Sequence, residues 1–82
     1  MTTQDELDTM STAELARMLR DGVEALASRS DAQAFAELVE LTQVLGEALG
    51  KSARALAGAS SWAQVGDVAG TSRQAAWERW RG

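Results

Sequence analysis

The chain has 82 residues, 12 acidic side chains against 8 basic ones, a formal net charge of -4, and no cysteine, histidine or proline. That length allows one small domain with limited surface to bury by itself, and the missing thiols and imidazoles remove disulfides, the commonest metal ligands and the commonest general base. No apolar run approaches the roughly 20 residues of a membrane span, and no charged start with an apolar core marks a signal peptide, so a cytoplasmic chain away from membranes is expected.

Residues 1–10 are polar and acidic and are expected to form a flexible, solvated N-terminal segment. Asp5, Glu6 and Asp8 lack the further ligands and glycine turn of a calcium loop. Ser11 with Glu14 forms a capping box, and Leu15, Met18, Leu19, Val23 and Leu26 follow as one apolar stripe at helical spacing. Ala27-Ser28-Arg29-Ser30 reads as the exit from this helix. Ser30 with Gln33, or else Asp31, caps the longest helical pattern. Phe35, Leu38, Thr42, Leu45, Leu49, Ser52 and Leu56 alternate at four and three residues, a heptad seam with polar interruptions. Unbroken from residue 31 to 57, this helix would be about 40 Å long. Gly46 and Gly50 allow close packing or a break near Gly50. One short neighbour cannot cover both apolar flanks, so residues 11–57 are expected to be a helical dimerisation region. Leu15, Leu19, Phe35, Leu38, Leu45 and Leu49 would lie in the dimer interface.

Gly58-Ala59-Ser60 reads as the loop into a C-terminal element spanning residues 58–82. Ser61 with Gln64 is another capping box, and Trp62, Val65 and Ala69 recur on one helical face. Gly70 ends this helix, because glycine takes the left-handed conformation without a Cβ clash. Thr71 or Ser72 caps the next helix, whose inward side would be Ala76 and Trp80. Gly66 keeps the first helix slim where the second crosses it. Charge divides along the same line. Through Gly50 the acids greatly outnumber Arg17, Arg20 and Arg29, whereas from Lys51 onward Lys51, Arg54, Arg73, Arg79 and Arg81 face only Asp67 and Glu78. A basic head on an acidic body is a nucleic-acid signal that the net charge conceals.

Ser61-Trp62-Ala63-Gln64-Val65-Gly66-Asp67-Val68-Ala69-Gly70-Thr71-Ser72-Arg73-Gln74-Ala75-Ala76-Trp77 resembles the DNA-binding helix-turn-helix of bacterial transcription regulators and of the promoter-reading region of sigma factors. The likeness covers roughly the last quarter of the chain. It departs at Gly66, where alanine is commoner, and at Ala76, where a larger aliphatic is usual. The resemblance implies a second helix in the major groove, with Arg73, Gln74 and Trp77 toward base edges. Lys51, Arg54, Ser61, Thr71, Ser72, Arg79 and Arg81 are then the candidates for phosphate contacts.

The sequence therefore predicts an all-α chain, a small helical domain with N-terminal dimerisation helices and a C-terminal helix-turn-helix. The expected function is sequence-specific binding of double-stranded DNA by a homodimer, as a nucleoid-associated transcription regulator. Two rivals stand beside it: a helical protein-interaction module, adaptor or antitoxin-like, that does not read DNA, and a sigma-like reader that docks on RNA polymerase or another regulator. No metal or cofactor is expected. Gly66 to Ser72 lacks the lysine, spacing and preceding strand of a phosphate loop, and the serines have no histidine to activate them, so enzyme activity is not expected either.

Overall fold

A computed structural model describes residues 3–82, and among these the chain is all-helical, with five helices and no strand. They are α1 (Gln4–Thr9), α2 (Thr12–Ala27), α3 (Ala32–Ala59), α4 (Trp62–Ala69) and α5 (Arg73–Trp80). None of them is long and apolar enough to cross a membrane. The chain divides into two compact units, one extending through Glu40 and the other comprising Leu41–Gly82.

Side-chain caps set the helix starts in the first unit. Thr3 Oγ1 accepts from the Glu6 amide at 3.2 Å, and Asp5 and Glu6 place negative charge in the first turn of α1. These local interactions make Gln4–Thr9 a short helix with no buried residue, within the segment expected to be flexible and solvated; Met1 and Thr2 of that segment lie outside the described residues. Ser11 Oγ accepts from the Glu14 amide at 3.1 Å, as the capping box predicts. Of the two candidates for α3, Asp31 is the cap: its Oδ1 accepts from the Ala34 amide at 2.7 Å. α2 has no buried residue; Leu15 and Leu26 are half-buried, while Met18, Leu19 and Val23 are exposed. On the first turns of α3 only Ala34 is buried, and Phe35 is 70% exposed.

The second unit has a defined core. Ala53 of α3, Val65 of α4, and Ala76 and Trp80 of α5 form one buried cluster, flanked by Leu56, Ala57 and Trp62. α3 runs through Gly50 without a break and two residues past the expected end at Ala57, since Gly58 and Ala59 continue its hydrogen-bonded spiral and the Ser60 amide still donates to Leu56 O at 2.8 Å. Its link to α4 is correspondingly short. Leu45 and Leu49, on the part of α3 beyond this core, are exposed.

Candidate functional site

α4 and α5 are eight residues each, joined through Gly70, Thr71 and Ser72. Gly70 takes φ +73°, and the Thr71 amide reaches back to Gly66 O at 2.8 Å while the Gly70 amide donates to Asp67 O at 3.4 Å. That double closure satisfies carbonyls which the end of α4 would leave orphaned, and it turns the chain sharply. Ser72 then starts α5, its Oγ accepting from the Ala75 amide at 3.0 Å. Thr71 lies in the turn and is not the cap.

Packing holds this corner at close range. A Cβ on Gly66 would sit 2.8 Å from Thr71 O and 2.9 Å from Ser72 C, so only hydrogen fits between α4 and the backbone entering α5. Ala76 is wholly buried, and Trp80 is 9% exposed beneath the end of α5. Ala69, expected on the inward face, is exposed. Gly66 makes the approach one turn earlier, and Ala53 of α3 supplies the apolar wall in its place. Ala53 repeats at four residues from Leu49 and Ala57, a signal present in the sequence but outside the heptad positions.

The side chains expected at base edges all lie on α5 and remain accessible. Arg73 is exposed at its first position. A cation there opposes the partial positive charge of the helix N-terminus, a placement that costs helix stability. Gln74 is exposed, and its Nε2 donates to Glu78 Oε1 at 3.0 Å one turn later. Trp77 is 40% exposed, with the Arg81 guanidinium 4.7 Å from its ring centroid. Glu78 was readable as the i, i+4 partner of Gln74, yet charge counting alone hides that pairing.

The expected phosphate contacts divide into two groups. Ser61 and Ser72 cap α4 and α5 by accepting through Oγ, at 3.1 Å from the Gln64 amide and 3.0 Å from the Ala75 amide, which leaves each hydroxyl proton to donate. Lys51 and Thr71 are exposed. Three arginines have protein partners. Arg54 Nη1 donates to Trp80 O at 3.0 Å, Arg79 lies 5.1 Å from the Trp80 ring centroid, and Arg81 covers Trp77. Stacking leaves the edges of the Arg79 and Arg81 guanidinium groups able to donate, whereas Arg54 spends a donor on the fold. No family model matches this chain, and neither a curated protein nor a solved structure matches it.

Proposed function

We propose that the chain is a sequence-specific double-stranded DNA-binding protein, a transcription regulator in which residues 61–80 act as a helix-turn-helix and α5 enters the major groove. One observation carries this reading: the Gly66 approach and the Gly70 turn lock α4 against α5 while Arg73 and Gln74 stay exposed. Arginine pairs with guanine and glutamine with adenine, each good pair contributing about 1–3 kcal/mol of discrimination. The α5 dipole favours it too, since an anionic partner turns the unfavourable site of Arg73 into a favourable one.

The cationic footprint is light, so useful affinity calls for two heads on one duplex. Exposed Leu19 and Phe35 in the first unit, and exposed Leu45 and Leu49 in the second, each supply apolar area for a homodimer. The same exposed residues also favour the second reading, an adaptor or antitoxin-like interaction module whose partner is another protein and which does not read DNA. Selection of bound duplexes from a random pool at stated salt distinguishes the two. Enrichment of a motif with half-sites about 34–36 Å apart supports the dimeric reader. Recovery of unenriched sequence, with retention of a protein partner on co-purification, sinks it in favour of the module.

A further inference from the structure

We infer that Glu78 is a specificity-determining residue that fixes which way round the Gln74 amide is presented, selecting adenine over guanine; this rests on the DNA-binding reading above. Gln74 Nε2 lies 3.0 Å from Glu78 Oε1 on the exposed side of α5. A carboxylate only accepts hydrogen bonds, whereas a carboxamide has one edge that donates and one that accepts. Turning the Gln74 amide over would bring its oxygen against the carboxylate oxygen, acceptor on acceptor. Glu78 therefore holds the nitrogen toward itself and leaves the oxygen on the other side.

The consequence for base reading follows from proton counting. Adenine offers an acceptor at N7 and a donor at N6, and guanine offers two acceptors at N7 and O6. The amide nitrogen carries two protons. With one given to Glu78, the second proton and the carbonyl oxygen together form the donor–acceptor edge that adenine requires. Guanine needs two donated protons from this residue, and the pair with Glu78 withdraws one. An untethered glutamine already pairs best with adenine but can turn its amide to donate to guanine; the tether removes that second orientation and sharpens the preference. The side chain of Glu78 need not touch DNA for this effect, so it is a positioning residue.

The test is base selection from a random duplex pool with the full-length chain, its Glu78→Ala and Gln74→Ala variants, and the double variant. We expect the wild type to favour adenine over guanine at one position by about tenfold. Glu78→Ala lowers that ratio severalfold at the same position, Gln74→Ala abolishes the preference there, and the double variant loses nothing beyond Gln74→Ala. Removing a negative charge also strengthens binding to every duplex, but that uniform gain cancels in the ratio. Glu78→Gln is the second variant: its amide both donates and accepts, so it tolerates either orientation of Gln74 and relaxes the same ratio. An unchanged adenine-to-guanine ratio in the Glu78 variants overturns the inference, as does a shift at positions that Gln74→Ala leaves alone. A wild type that enriches no sequence overturns the DNA-binding reading beneath it, which is a separate and distinguishable result.

Discussion

Arg54 and Trp80 are 26 residues apart in sequence, and Arg54 Nη1 donates to the Trp80 carbonyl oxygen at 3.0 Å. The bond ties α3 to the end of α5, placing a cation on one of the carbonyls that a helix C-terminus leaves unpaired. Gly50 allows the arginine to lie close, since a Cβ there would come within 3.2 Å of Nη1. Arg54→Ala should lower unfolding stability by about 1.5–3 kcal/mol in urea titrations, the range for a hydrogen bond from a charged group. Arg54→Lys should recover part of that loss. A stability identical to wild type would mean that the contact contributes nothing in solution.

Two glycines should respond oppositely to alanine. At Gly66 a methyl group meets Thr71 O at 2.8 Å, and both neighbours are backbone, so the corner must open. Gly66→Ala is expected to destabilise by about 1–3 kcal/mol, as overpacking does. Gly58, near the end of α3, has nothing within 4 Å of its Cβ position and no positive φ. Gly58→Ala is expected to stabilise by about 0.5–1 kcal/mol, chiefly by narrowing the unfolded ensemble. Thermal unfolding by circular dichroism reads both.

Ala76 has no free surface at the centre of the α4–α5 corner, with Trp80 and Val65 in the same cluster. The tryptophans fill space that a larger aliphatic at residue 76 would otherwise occupy. Ala76→Leu should therefore cost about 1–3 kcal/mol, measurable as a lower urea midpoint at unchanged slope. An equal or higher midpoint would indicate a loose corner.

The C-terminal corner was legible in the sequence because its determinants are local. Ser61 and Ser72 cap through amides three residues away, Gly70 has a backbone requirement only glycine meets easily, and Gly66 is tied to residues five and six positions on. The all-helical class was legible for the same reason. What the sequence hid was set by distant neighbours or by helix ends. Arg54 reads as a surface cation until α5 brings the Trp80 carbonyl to it. Ala53 reads as filler between heptad positions until Val65 and Trp80 pack on it, and Ala69 reads as inward, yet the close approach falls at Gly66 and Ala69 is exposed. At Gln4–Thr9 acidic composition concealed a helix whose start is fixed by a single threonine.

Surplus apolar surface on α3 should drive self-association. Leu45 and Leu49 lie on one face of α3, four residues apart, and both are about half exposed. Covering them in a homodimer would remove apolar area from water at about 25 cal/mol per Å². Sedimentation equilibrium of the wild type should give a dimer, and Leu45→Glu with Leu49→Glu should give a monomer with its helical circular dichroism retained. A wild type that sediments as a monomer at every concentration would leave these leucines to a different protein.

Arg73 allows folding and the proposed DNA binding to be separated in one residue. It stands at the first position of α5, exposed, where the helix dipole disfavours a cation. Reversing the charge should help the helix: Arg73→Glu is expected to raise stability by about 0.3–1 kcal/mol at low salt, with the gain fading as salt screens it. The same change places a carboxylate where a base edge or phosphate would lie, so binding to the selected duplex should fall by about tenfold or more. Arg73→Ala should retain a smaller part of the stability gain and lose the preference at one base position. A fold defect is distinguishable from a recognition defect because the two quantities move in opposite directions. Weakened binding together with weakened folding would instead assign Arg73 a structural role in α5, and undiminished binding by Arg73→Glu would remove the residue from the interface.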